Sequence, residues 1–160
     1  MAEKEISCAE KYCSIPKLSD DEVVGLVHDF CRDSLDRELF KRIRGILKKK
    51  HEYINMRNLG GANISAESFY LPYFSQVYIL LRRYKDISDL VYLSHELGHS
   101  LQFKTNYSTA MFFQLSPFLE VVSQFFELLS LDYFRQFREF EAAASQFNKV
   151  TFDDVRVWSK

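Results

Sequence analysis

From Leu18 to Lys50 the apolar positions Val23, Leu26, Val27, Phe30 and Cys31 recur at helical spacing. Ser19 suits the cap of that helix, and Glu22 three residues on completes a capping box. A bend is expected between Asp33 and Asp36. Lys48, Lys49 and Lys50 close the helix, where cations oppose the negative end of its dipole. His28 lies beside the apolar stripe and reads as a packed or surface residue, and His51 as an exposed one. The NLGG stretch, Asn58 to Gly61, is the clearest turn signal. After it the helical period is lost. ANISAESFYLPYFSQVYILLRRY is rich in β-branched and aromatic residues and is interrupted by Pro72. Two short strands are expected there, near Ala62 to Ser68 and Gln76 to Leu81, in one small sheet.

Asp86 or Ser88 then caps a second helix, with Ile87, Leu90, Val91, Ser94, Leu97, Gly98 and Leu101 on its buried face. Lys104 to Thr109 reads as a polar loop. Pro117 suits the first turn of a last long helix, Ser116 to about Phe147. TFDDVRVWSK is a short tail. The pattern predicts a mostly α (α+β) fold, helical with a two- to three-stranded sheet. Residues 1–160 are expected to form one domain behind a flexible N-terminus, residues 1–17.

Composition narrows the function classes. The chain has 160 residues and a formal net charge of -1, which removes a general electrostatic case for nucleic acid or a membrane surface. No apolar run is long enough to span a bilayer, and MAEKEISCAEKYC has no apolar core of a secretory signal. Cys8, Cys13 and Cys31 show no paired spacing; an odd count fits free thiols in a cytoplasmic compartment.

The candidate chemistry lies in VYLSHELGHSLQF, Val91 to Phe103. Residues four apart on a helix are separated by about 40° around the axis, so His95 and His99 project from one side. Two imidazoles so placed can grip one cation. Glu96 is rotated by about 100° from His95 and can reach a water on that cation instead. This is the H-E-x-x-H arrangement, two zinc ligands and a general base. Zinc lowers the pKa of its water to about 7, and the base then takes a proton already close to leaving. Gly98, beside His99, permits close approach by another helix. The competing reading is an amphipathic helix with two partly buried histidines.

A catalytic zinc usually has three protein ligands and one open position. Glu120 and Glu127, in SPFLEVVSQFFELLSLDYF, lie about 10.5 Å apart along one helix face. One is expected to be the third ligand. The other would accept the free N–H of His95 or His99.

DLVYLSHELGHSLQF followed by FLEVVSQFFELLSLDYF resembles the zinc peptidases of the oligoendopeptidase F and thimet oligopeptidase family. There, H-E-L-G-H is followed some twenty-odd residues later by a helix matching Glu120, Val121, Val122, Ser123, Glu127, Leu128, Leu129 and Asp132 here. The resemblance implies one Zn2+ per chain held by His95, His99 and Glu120, with Glu96 as base and Glu127 behind the ligands. It implies a short peptide as substrate. It also makes Gly61, Ala62 and Asn63, within the candidate edge Gly61 to Ser65, substrate-binding positions. Family members are several times longer and carry a downstream histidine and tyrosines. All four histidines here lie at or before His99. The chain is therefore expected to be the core of a catalytic domain, truncated or reduced. The alternative is a non-catalytic zinc-binding remnant or a partner-binding helical module. Phe125, Phe126, Tyr133, Phe134, Phe137, Phe140 and Phe147 wrap around more than one helix face. They predict an exposed aromatic patch covered by a second copy or a partner chain.

Overall fold

Ser19 opens the first helix, α1 (Asp20–Ser34), in the capping box its spacing predicts: its hydroxyl accepts the Glu22 N–H, and the Glu22 carboxylate accepts the Ser19 N–H at 2.7 Å. In the computed structural model of the protein, residues 17–58, 65–103 and 116–147 are described, apart from the side chains of Pro72 and residues 116–119. The bend expected at residues 33–36 is present. Leu35 is extended, and the Asp36 carboxylate accepts the N–H groups of Glu38 and Leu39 to start α2 (Arg37–Lys48). His28 packs edge-on against Phe40, and His51 is exposed.

Past Lys49 the chain makes one short turn, α3 (Lys50–Tyr53), and then a strand that the sequence pattern does not reveal, β1 (Ile54–Arg57). Four residues are too few to display an alternation beside a lysine run. The two expected strands are β2 (Ala66–Leu71) and β3 (Gln76–Arg82). The start predicted for the first, residues 62–64, falls outside the described residues, and its pairing runs past the predicted end at Ser68 to Leu71. Strand β3 is central. It pairs parallel with β1 (Ile54 opposite Ile79) and antiparallel with β2 (Ser68 opposite Ile79). Its alternate residues Val77, Ile79 and Leu81 are buried. On β2, Ala66, Ser68 and Tyr70 are the more covered set, while Glu67, Phe69 and Leu71 are exposed.

The connection out of β3 is held by one buried carboxylate. Asp89 accepts the N–H groups of Tyr84 and Lys85 at 2.8 and 2.9 Å and pairs with Arg83 at 2.9 Å. Asp86 caps the next helix by accepting the Ser88 N–H. That helix, α4 (Ile87–Phe103), is more enclosed than an amphipathic pattern implies. The expected apolar face is buried, and so are Ser88, Asp89, Leu93, Glu96 and Ser100. Such all-round burial marks the central helix of the domain.

Helix α5 (Ser116–Arg135) crosses α4. The single long helix predicted to Phe147 is not formed: residues 136–140 turn, and residues 141–147 are helical again. No Gly or Pro causes the break. The turn is tightened by Gln136 N–H to Tyr133 and Phe137 N–H to Phe134. It returns Phe140, Ala143, Ala144 and Phe147 to the core, with Phe140 against Phe134 and Phe147 against Tyr92. A straight helix would carry these apolar groups away from the core, so burial overrides local helix propensity. The fold is mostly helical with a small three-stranded mixed sheet. Among the described residues no helix is long and apolar enough to cross a membrane.

Where α4 meets α5, a Cβ on Gly98 would lie 2.7 Å from the Ser123 Cα and 3.1 Å from both its N and the Val122 carbonyl oxygen. All three atoms are backbone and cannot swing aside. Gly98→Ala is expected to lower stability by about 1–3 kcal/mol through overpacking. Gly25, in α1, has nothing within 4 Å of its ideal Cβ. There the same change is expected to raise stability by about 1 kcal/mol. Urea midpoints of the two variants check both signs; a stabilised Gly98→Ala would remove the close crossing.

Candidate metal centre

The four-residue spacing on α4 sets the His95 and His99 rings 4.9 Å apart at 77° to one another. Glu120 reaches them from near the start of α5. Its Oε2 is 3.4 Å from His95 Nε2 and 3.6 Å from His99 Nε2. The three ligand atoms all lie within 4.8 Å of one another. Zinc bonds of about 2.0–2.1 Å at a tetrahedral angle put neighbouring ligand atoms about 3.3 Å apart. Two of the separations are therefore already close to those of a chelated ion, and the donor set of two imidazoles and a carboxylate suits zinc. The Glu120 side chain is 52% exposed, so this end of the cluster is open to solvent.

A second layer of contacts orients these groups. His95 Nδ1 is 3.1 Å from Glu127 Oε2. With Nδ1–H donating to that carboxylate, the Nε2 lone pair faces the cluster. The two glutamates make different contacts: Glu120 meets both imidazole Nε2 atoms, and Glu127 meets Nδ1 of His95. Ser123, fully buried at the helix crossing, has its hydroxyl 3.1 Å from Glu120 Oε2 and 2.9 Å from the Glu120 carbonyl oxygen. Phe103 lies over His99 with the rings 27° apart.

The electrostatics separate the two histidines. Burial opposes the charged form of His95, but the Glu127 hydrogen bond and the nearby charges of Glu96, Glu127 and Glu120 outweigh it and raise its pKa. For His99, burial and the charge of His95 prevail and lower it.

Glu96 leaves α4 at about 100° from His95 around the axis, near enough that the charges of His95 and Glu120 both act on it. It is only 5% exposed, and burial raises its pKa despite a hydrogen bond from the Ser68 hydroxyl and the charge of His95.

The structure thus brings together five of the expected residues: His95, Glu96, His99, Glu120 and Glu127. Gly61, Ala62 and Asn63, the expected substrate-binding positions, lie outside the described residues. Sequence reasoning missed Ser68 and the carboxylate contact of Ser123. Ser68 lies 28 residues from its partner, and only the alternation of β2 places it on the face toward α4. Of the aromatic residues expected to form a patch, Phe126, Phe134, Phe140 and Phe147 are buried within the chain. The surface stripe on α5 is Val121 (58% exposed), Phe125 (57%) and Leu128 (42%). Tyr133 donates to Asp33 at 3.0 Å, tying α5 to α1. Scans against family models, curated proteins and solved structures give no match to this chain.

Proposed function

We propose that the chain is a zinc-dependent metallopeptidase domain that hydrolyses short peptides in a cytoplasmic compartment. The observation that carries this reading is the convergence of His95 Nε2, His99 Nε2 and Glu120 Oε2 at near-chelating separations, with the buried carboxylate of Glu96 beside them. Zinc held by His95, His99 and Glu120 would supply Lewis acidity there, toward water and a peptide carbonyl. Glu96 accepts a proton as the water oxygen bonds to the carbonyl carbon. It then delivers that proton to the amide nitrogen as the C–N bond breaks. Glu127 holds His95 in the tautomer whose Nε2 lone pair faces the cluster. The odd cysteine count supports a reducing compartment, and the Cys31 thiol is buried and free.

A second reading is favoured by the exposed stripe Val121, Phe125 and Leu128. In it zinc staples α4 to α5, and the stripe docks a partner or a second copy without catalysis. Metal-dependent cleavage of a quenched peptide separates the two readings.

Elemental analysis of protein purified without chelators is expected to give one zinc per chain, and Glu120→Ala to abolish stable binding. Glu96→Gln is expected to keep the metal while turnover falls by about 10²–10⁴-fold. Unchanged hydrolysis by that variant would sink the mechanism. Glu127→Ala is expected to weaken zinc by about 10–100-fold in a competing-chelator titration. Equal affinity would deny Glu127 its orienting role.

A further inference from the structure

We propose that Ser68 is the positioning residue for Glu96: from strand β2 its hydroxyl holds the Glu96 carboxylate beside the His95–His99–Glu120 cluster. The proposal rests on the reading of Glu96 as the base. A glutamate has three side-chain torsions, and a base must present one oxygen to one place. Glu96 is 5% exposed, so its carboxylate orientation is set by protein donors.

Ser68 Oγ meets two acceptors of the same residue, the Glu96 carboxylate and, at 3.2 Å, its carbonyl oxygen. A hydroxyl carries one hydrogen. The carbonyl is already served by the Ser100 hydroxyl at 3.0 Å. The hydrogen therefore goes to the carboxylate. The direction of the hydroxyl is fixed by the sheet. Ser68 stands opposite the buried Ile79 of β3, and the pleat turns Ala66, Ser68 and Tyr70 to the same side. Two residues along that face, Tyr70 stacks on Phe103 of α4 at 5.5 Å and 5°. The strand is thus clamped to the helix that carries the base, and a side chain delivered by such an element is held more precisely than one on a loop.

The test uses the full chain with zinc and the variants Ser68→Ala and Ser68→Thr. In protein labelled with ¹³C at the glutamate carboxyl carbons, the Glu96 resonance is the one missing from Glu96→Gln. It is expected to shift in Ser68→Ala and to return in Ser68→Thr, whether or not the protein turns over substrate. A resonance unmoved in folded Ser68→Ala overturns the proposal. With a quenched peptide, Ser68→Ala is expected to lose about 10- to 100-fold in kcat, with KM and zinc content unchanged, and Ser68→Thr to recover most of it. A rise in KM alone, or a wild-type kcat, also overturns it. A wild-type chain that binds zinc and cleaves nothing overturns the peptidase reading instead, and the resonance still decides whether Ser68 holds Glu96. Should Ser68→Ala not fold, Ser68→Cys, similar in size and a weak donor, gives the same two readings.

Discussion

At Gly98 the backbones of α4 and α5 approach until no β-carbon fits between them, and the geometry of the candidate site follows from that contact. Gly98 adjoins His99. Across the crossing, Ser123 stands three residues after Glu120 and four before Glu127. The contact point therefore lies between the two carboxylates that meet the imidazoles. Both carboxylates span only a few ångströms to reach His95, so a wider separation of the helices would cost both contacts at once. A small residue on each side is the physical condition for such proximity, and each carries its own cost. Glycine in a helix interior loses about 1 kcal/mol relative to alanine. A fully buried serine needs a partner for its hydroxyl, and Ser123 finds it in Glu120.

That proximity concentrates negative charge. Glu96, Glu120 and Glu127 all act on His95, and their combined pull overcomes the burial that would keep the ring neutral. His99, where burial and the charge of His95 outweigh the charge of Glu120, moves the other way. Such a cluster has a net attraction for a cation, and a proton on His95 and a metal ion draw on the same charges. The hydrogen bond from Nδ1 to Glu127 reconciles the two demands. It spends the N–H on the outer carboxylate and leaves Nε2 free as a donor atom. The arrangement answers the cost of burying carboxylates among apolar side chains, since each meets a specific partner: Glu127 with His95, Glu96 with Ser68, Asp89 with Arg83 and two backbone N–H groups.

How much of this was legible depended on whether the signal was local. The grip of His95 and His99 is a spacing of four on one helix, readable without a fold. Glu120 and Glu127 are seven apart on a second helix, so their shared face was readable too. The resemblance implies Glu120 as ligand; the structure shows that Glu120 lies within 3.4 and 3.6 Å of the two imidazole Nε2 atoms. The capping box at Ser19 and the bend at Asp36 are likewise local. The misses share one cause. Strand β1 exists because β3 offers it a parallel edge, not because INMR announces a strand. The chain turns at residues 136–140 because Phe140 and Phe147 have a place in the core, with no breaker to signal it. Ser68 is one small polar residue in a strand until the sheet docks on α4. In each case the deciding partner is distant in sequence, where periodicity carries no information.

The three elements around the centre are coupled by different kinds of contact. Helix α4 brings two imidazoles and the Glu96 carboxylate, α5 brings the carboxylate that meets both imidazoles and the one behind His95, and β2 brings a hydroxyl. A cation held by His95, His99 and Glu120 would cross-link α4 to α5, and its binding free energy would add to the stability of that crossing. It would touch nothing in the sheet. The link from β2 to α4 depends on Ser68, on the Tyr70–Phe103 stack and on the apolar face of β3, all independent of the metal. Cation affinity and the orientation of Glu96 would therefore vary separately. A change on α5 would loosen such a cation and leave Glu96 held, while a change on β2 would free Glu96 and leave His95, His99 and Glu120 in place. Such separation follows from the adjacency of Glu96 and His95, because a rotation of about 100° sends the two side chains to different neighbours.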